Sequence, residues 1–304
     1  MNRIFYFLIH PRFLLIGLLE RMGGWIPDKA YLRMRYLLNT KKWLKQNPPI
    51  TFNEKLQWLK LNDRKPLYST IVDKFTAKDY VASIIGKEFI IPTLGVWEKP
   101  EDIEFDLLPQ RFVLKTTHDG GGEGVVICDK SHLDKESIKR RLHKSLKRNI
   151  YKSLREWPYK NIKPRIMAEA FIQPFGDNAE ILKDYKFFCF NGEPKFCQVK
   201  SHEGGKDCTD LFDLQWNLLP FTGLNPMQGN ALKTPERPAN YEDMIDLAAK
   251  LCKVSNFVRV DFYNVDGRIY FGEITFYPAS GMGAFTPSNY DEKLGELLKI
   301  GSNN

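Results

Sequence analysis

The chain has no Cys-x-x-Cys pair, no Gly-Lys-Ser/Thr loop and no long apolar run. Each absence removes a kind of chemistry. Five cysteines among 304 residues, at 128, 189, 197, 208 and 252, give neither zinc-ligand spacing nor an even set for a disulfide framework. Three of them (128, 189 and 197) fall in apparent strands, which reads as buried reduced thiols in a cytoplasmic protein. The longest uncharged stretches near the start, Ile4–His10 and Phe13–Leu19, are separated by Pro11 and Arg12. Both fall far short of the ~20 residues a membrane-spanning helix needs. No small-residue cleavage site follows. No internal repeat, low-complexity tract or Ser-His-Asp triad is visible.

What is there suits a soluble enzyme-sized chain. Hydrophobic residues make up 43% and aromatic residues 13%, enough for a full core in one large domain or two to three sub-domains. The formal charge is +8 and the pI about 9.1. That balance favours anionic partners: nucleotide, acidic glycan, lipid headgroup or nucleic acid.

Residues 1–22 read as a helical hairpin packed on the domain, with a peripheral membrane contact as the alternative because aromatic and basic residues mix there. Residues 28–62 are helical by the 3–4 spacing of Tyr31, Met34, Leu37 and Leu38, broken at Pro48-Pro49 and restarted with Thr51 or Asn53 as cap. Asp73-Lys74 opens a further helix, Thr76 to Ile85, which ends at Gly86. Trp58 belongs to the core. The segment 134–157 is a basic helix with Ile138, Leu142 and Leu146 at spacing four. A solvated face is its plain reading, and an acidic glycan or membrane surface the alternative. Nucleic acid is not expected, because no aromatic residues are interleaved as stacking platforms. Ser201 to Asn240 reads as a long polar loop.

Two stretches carry chemistry. In residues 111–128, RFVLKTTHDGGGEGVVIC, a strand bearing Lys115 runs into Gly120, Gly121, Gly122 and Gly124, then a second strand. A glycine-rich hairpin tip of this kind lays backbone N–H groups over phosphates, because no Cβ holds them off. Its plainer reading is a flexible surface hairpin. In residues 257–285, FVRVDFYNVDGRIYFGEITFYPASGMGAF, two alternating strands flank a turn at Asn264 to Gly267. A two-residue turn would pair Val260 with Glu273 and send Glu273 and Asp261 to opposite faces. A three-residue turn would pair Arg259 with Glu273, so that Arg259, Asp261, Glu273 and Thr275 share a face. The second register is expected, since the first buries a carboxylate among hydrocarbons at several kcal/mol. Two carboxylates so placed can share a Mg²⁺. The alternative is a sheet face whose Arg and acids only pair with one another.

In order, Asp73-Lys74, Lys115 with its glycine hairpin, Glu169, the block Asp184-Tyr185-Lys186-Phe187 and the Arg259/Asp261/Glu273 hairpin resemble the ATP-grasp superfamily, and most closely its TupA-like, teichuronopeptide-biosynthesis branch. The resemblance covers about residues 50–300. It implies an α+β fold in which two sub-domains grip a nucleotide between antiparallel sheets: a helical N-terminal region over 1–70, a lid-bearing sub-domain over 71–165, and a C-terminal sub-domain over 166–304. It further implies ATP and Mg²⁺ as cofactors. Lys115 and Lys74 would contact the phosphates and Gly120 to Gly122 would form the lid. Glu169 with the backbone of Ala170, Phe171 and Ile172 would read adenine, and Asp184 the ribose. Asp261 and Glu273 would hold magnesium. Arg259 and Lys186, with Ser280 and Gly281, would sit by the transferred phosphoryl group. Thr275 stands where many members have an asparagine ligand, which leaves one or two metal ions open.

The reaction implied is carboxylate–amine ligation through an acyl phosphate, in a TupA-like setting on a uronic-acid carboxylate of a cell-surface glycan, with an amine co-substrate. A kinase on the same scaffold is an alternative. So is a non-catalytic nucleotide-binding partner. A glycosyltransferase would want an Asp-x-Asp motif, and Asp207, Asp210 and Asp213 are spaced otherwise.

Overall fold

Thr51 opens the helix on which the N-terminal third is packed. Its Oγ1 accepts from the Glu54 N–H (3.2 Å), while Glu54 Oε2 accepts from the Thr51 N–H (3.0 Å), a reciprocal cap. Asn53, the other cap candidate, is buried instead: its backbone N–H donates to Asp291 Oδ1 and its amide to the Gly283 carbonyl. The computed structural model describes residues 11–120, 122–173, 182–203, 205–224 and 229–301. Helices over the first part are Pro11–Met22 (α1), Asp28–Thr40 (α2), Phe52–Asn62 (α3), Pro66–Val72 (α4) and Thr76–Ile85 (α5). None of the described helices is long and apolar enough to cross a membrane.

The strands Thr93–Trp97 (β1), Arg111–Thr116 (β2), Val125–Asp129 (β3) and Ile166–Ala170 (β4) form one antiparallel sheet in the order β1-β4-β2-β3. Phe112, Leu114, Ile166 and Ala168 pack beneath Ile138 and Leu142 of the basic helix Lys135–Leu146 (α6). That helix stops earlier than its sequence suggests, and a short helix, Ile150–Leu154 (α7), follows. The strand expected to open the C-terminal sub-domain at 166 lies inside this sheet, paired with both β1 and β2. Residues 166 to 169 are buried without alternation, the mark of a strand covered on both faces.

The second sheet holds Asp184–Phe190 (β5), Glu193–Glu203 (β6), Lys206–Asp213 (β7), Phe257–Val265 (β9) and Arg268–Thr275 (β10), in the order β10-β9-β5-β6-β7. Among the described residues Thr222–Gly223 (β8) pairs with Phe285–Thr286 (β11), apart from the two larger sheets. The expected loop over 201–240 is therefore partly strand. Cys208, Leu211 and Phe212 are buried, and Trp216 stacks on Phe212 at 4.2 Å, so this edge carries apolar side chains that the flanking aspartates disguise. Tyr241–Leu251 (α8) and the helices α3 to α5 join the core on this sheet, where Phe187, Val258, Val260, Phe262 and Ile274 meet Met244 and Leu247. Each such buried side chain contributes roughly 1.5–3 kcal/mol. All five cysteines are buried and unpaired.

Candidate active site

The acids of the β9–β10 hairpin face the cleft by a route the sequence did not suggest. The turn is the two-residue one: Val265 pairs with Arg268, and Asp266 and Gly267 both have positive φ (50° and 79°). The ladder then slips between Phe271 and Glu273, so Gly272 is an extra residue. Glu273 thus lies opposite Asp261 and Thr275 opposite Arg259, not Glu273 opposite Arg259 as expected. The shared face is nonetheless that of Arg259, Asp261, Glu273 and Thr275. Phe271 and Ile274 are buried on the other side. The bulge spares Glu273 the burial that the unbroken register would impose.

Arg259 ties this face together. Its Nε donates to Asp261 Oδ1 (2.7 Å), and its Nη2 to Asp261 Oδ2 (2.6 Å), Glu273 Oε1 (2.9 Å) and Thr275 Oγ1 (3.1 Å). From the next strand Lys186 Nζ donates to Asp261 Oδ2 (2.5 Å) and also pairs with Asp184. Burial pushes the Glu273 carboxyl up, but Arg259, Lys186 and Lys74 outweigh it and hold it down at about 2. Burial raises Asp184 against the pull of Lys186. The two candidate metal ligands differ in access: the Asp261 side chain is 2% exposed and the Glu273 side chain 43%. Glu273 is open to an incoming cation, whereas Asp261 has both oxygens taken by Arg259 and Lys186.

Among the described residues no three His, Cys, Asp or Glu gather as a metal site. Two acids facing a cleft still suit Mg²⁺, which takes one or two carboxylates and completes its shell with phosphate and water. The donor set fits a magnesium ion delivered with a nucleotide rather than one held by protein alone.

The opposite wall comes from the smaller sheet. Lys115 and Lys78 both pair with Glu169, Lys78 at 2.7 Å. Burial raises the Glu169 carboxyl, and the two lysines more than reverse it. The Glu169 carboxylate is therefore occupied in holding lysines; Ala170, Phe171 and Ile172 line the cleft beside it, the Ala170 N–H donating to the Pro92 carbonyl (3.0 Å). Phe171 stacks under Arg111 at 4.0 Å. Lys74 follows Asp73, whose Oδ1 accepts from the Phe75 N–H (2.9 Å) and whose Oδ2 accepts from Arg165 (2.8 Å). Lys74 Nζ donates to the Asp119 carbonyl at the root of the glycine loop.

That loop is braced from behind. Asp119 Oδ1 accepts from the Gly120 N–H (2.9 Å) and its Oδ2 from Ser145 Oγ (2.8 Å). Arg141 Nε donates to the Glu123 carbonyl (2.8 Å) and Arg148 pairs with Glu123. A Cβ on Gly124 would overlap Thr116 Oγ1 and Ser145 Oγ. Gly120 and Gly122 line the cleft; Gly121 lies outside the described residues. His118 is buried.

Both walls border one cleft of ≈ 1530 Å³, larger than the ~300–1,000 Å³ of an ordinary single-ligand site. Lys74, Lys115, Glu169, Asp184, Lys186, Arg259, Asp261, Glu273 and Ser280 all line it. Gly281 does not share that role: a Cβ there would come within 2.8 Å of Leu56 Cβ on α3, so the residue lets the loop lie close against the helix. Ala279, Ser280 and Gly281 are consecutively left-handed (φ 47°, 53° and 61°). Gln57 Nε2 donates to the carbonyls of Ser280 (2.9 Å) and Gly281 (2.7 Å).

Several site residues were not anticipated from the sequence. Lys78 positions Glu169, Lys60 and Gln57 hold the 279–281 loop, and Arg35 and Asn39 of α2 line the cleft. Lys60 did leave a signal, since it falls four residues after Leu56 on the buried face of α3.

Against protein-family models, residues 54–299 match the TupA-like ATPgrasp family. The chain belongs to this family. Its likeness to solved structures is remote. D-alanine–D-alanine ligase from Helicobacter pylori is 17% identical over 81% of this chain and 69% of its own, with a TM-score of 0.46. The ATP complex of the Bacillus anthracis ligase is 16% identical over 84% and 64%, with a TM-score of 0.38. The ATP-grasp ligase PsnB with minimal precursor, Mg and ADP is 10% identical over 73% and 57%, with a TM-score of 0.39. The chain spans less than two thirds of the length of the last two. A search of curated proteins finds no significant match. As a TupA-like family member the chain has the ATP-grasp fold, with helices α1 to α5 preceding its two larger sheets.

Proposed function

We propose that this protein is an ATP-dependent carboxylate–amine ligase that forms an amide through an acyl phosphate. One observation carries the reading: Lys74, Lys115 and the glycine loop line one side of a cleft whose other side presents Arg259, Lys186, Asp261 and Glu273. Phosphoryl transfer depends chiefly on positioning and on neutralising charge that spreads over the γ-phosphoryl oxygens. Lys74 and Lys115 answer the phosphates, Arg259 the transferred group, and the backbone of residues 170–172 with Asp184 the nucleoside. Asp261 and Glu273 would hold Mg²⁺, which when bound supplies further neutralisation at the phosphates.

A carboxylate oxygen of the acceptor attacks the γ-phosphorus and ADP leaves. The amine then displaces phosphate from the acyl carbon and gives up a proton. The braced glycine loop, on the cleft wall, would keep water from the acyl phosphate. No Ser, Cys or His nucleophile is required.

For the acceptor we infer a uronic acid of a surface-type acidic glycan or its precursor, modified on the cytoplasmic side. The chain's +8 charge and the presence of Arg35 and Arg148 on the cleft wall support an acidic ligand. Intact-mass analysis of reactions with ATP, Mg²⁺ and a panel of uronic acids and amines tests this. ADP release only when both a carboxylate and an amine are present supports the ligase. A phosphorylated product with no amide favours a kinase, and UDP release from a sugar nucleotide ends the proposal.

A further inference from the structure

The face of α1 turned away from Ile16 and Leu19 is apolar, flanked by cations and exposed. Helix α1 is buried only through Ile16 and Leu19, while Leu14, Leu15 and Leu18 are about half exposed and Met22 more so. At 100° per residue these four fall on one arc of about 100°. Arg21 borders that arc. Trp25, three residues past the helix, is 96% exposed, and Trp43 is 76% exposed. A large apolar surface left in water is unfavourable and marks a contact face.

Charge says what the contact is. Residues 11–50 carry eight Lys and Arg against only Glu20 and Asp28, which is most of the chain's formal +8. Both acids are already answered from within: Glu20 pairs with buried Arg35 (2.9 Å), and Asp28 with Arg64 (2.7 Å) and Arg155 (3.1 Å). Arg12, Arg21, Lys29, Arg33, Lys41 and Lys42 are exposed, and none has an ion-pair partner among the described residues. Two copies meeting through this face would oppose like charges. An anionic sheet of headgroups over hydrocarbon answers both the cations and the leucines.

We propose that α1 and the exposed residues after it dock on a lipid bilayer rich in anionic headgroups. Helix α1 lies in the interfacial plane with Leu14, Leu18 and Met22 in the acyl region, Trp25 at headgroup level and the cations against phosphates. The same helix presents Glu20 to the catalytic cleft, so docking sets the cleft about one helix diameter, ~10–12 Å, from lipid. Substrates carried at a membrane surface are thereby within reach. This docking stands whatever reaction the cleft performs.

The test is co-sedimentation of the full chain with vesicles of phosphatidylcholine alone and with about one quarter phosphatidylglycerol. Binding to the anionic vesicles only, weakened severalfold as salt rises to about 0.5 M, is expected. The double variant Leu14→Asp/Leu18→Asp should bind about tenfold or more weakly. Lys41→Glu/Lys42→Glu should lose the salt-sensitive part. Unchanged melting curves for both variants exclude misfolding, and a variant that melts early is replaced by Leu14→Ser/Leu18→Ser. No binding to anionic vesicles, equal binding by wild type and leucine variants, or a dimer in solution that the leucine variants dissociate would each overturn the proposal.

Discussion

Lys60 Nζ lies 2.7 Å from Ser280 Oγ and 2.9 Å from the Ser280 carbonyl oxygen, with a third bond to the Leu154 carbonyl (3.0 Å). The ammonium is wholly buried; burial brings it down to about 8, against the pull of Glu156. It holds Ser280, the middle of three left-handed residues, of which the two that are not glycine, Ala279 and Ser280, cost ~1 kcal/mol or more each in that conformation. Helix α3 thus shapes this part of the cleft wall through Lys60 together with Gln57.

Lys60→Met keeps much of the volume and removes the three bonds. The expected outcome is a loss of about 1–3 kcal/mol of stability. With it, kcat/KM for the acceptor falls at least about tenfold while the KM for ATP holds. Thermal melts and separate titrations of the two substrates check this. An equal rise in both KM values would mean that the lysine acts on the whole fold rather than on the loop.

Glu273→Gln should abolish turnover and leave the fold intact. The change removes a ligand charge from a half-open side chain, and Arg259 retains its paired bonds to Asp261. A fall of about 100-fold or more in kcat is expected, with the fold retained and a modest fall in melting temperature, because Arg259, Lys186 and Lys74 favour the charged carboxylate. Wild-type turnover in this variant would make the hairpin a purely structural feature.

Lys115→Ala should raise the KM for ATP about tenfold or more, because it removes a cation from the wall on which the phosphates would lie. Glu169 keeps Lys78 as partner at 2.7 Å, so the sheet survives. Stabilisation by added nucleotide, read as a shift in melting temperature, should shrink in parallel. Unchanged ATP dependence would take Lys115 out of the site.

The sequence made the chemistry more legible than the geometry. Arg259, Asp261 and Glu273 could be placed on one face, because any other arrangement buries an acid. The device that puts them there, the extra residue Gly272, leaves no signal distinct from an ordinary strand glycine. Lys115 and the glycine hairpin were visible as a block, but the braces Arg141 and Ser145 come from a basic helix whose charges look merely solvated, and Arg148 from just beyond its end. The edge strand Lys206–Asp213 was hidden by its aspartates. Lys60 left a local trace, four residues after Leu56 on the buried face of α3, whereas Arg35 was missed because a long-range contact, not local pattern, turns that helical cation inward.

Glu169→Gln tests the paired lysines through pH. Lys115 and Lys78 hold the carboxyl below its ordinary 4.5 despite burial. A depressed carboxyl stabilises the fold above its unfolded value and loses that contribution as pH falls through the folded value. The stability gap between wild type and Glu169→Gln should therefore be full at neutral pH and close as pH drops below about 4.5. Breaking a buried charged cluster commonly costs about 3–5 kcal/mol. Denaturant titrations at a series of pH values measure the gap, and one that does not change with pH would mean the carboxylate adds nothing beyond its shape.

On the proposed reaction, Arg35 on the cleft wall would sense the charge of the acceptor. It is buried on the wall of the cleft; its Nη1 lies 2.9 Å from the Glu20 carboxylate, and its Nε has no hydrogen-bond acceptor among the described residues. An unused N–H in a buried guanidinium is costly unless a ligand takes it. Arg35→Met should raise the KM for an acidic acceptor about tenfold or more and leave the KM for ATP unchanged. For a neutral acceptor analogue the same variant should lose little. Equal losses for acidic and neutral acceptors would assign Arg35 to packing between α1 and α2, and the acid specificity of the cleft would then have to come from Arg148 on the opposite rim.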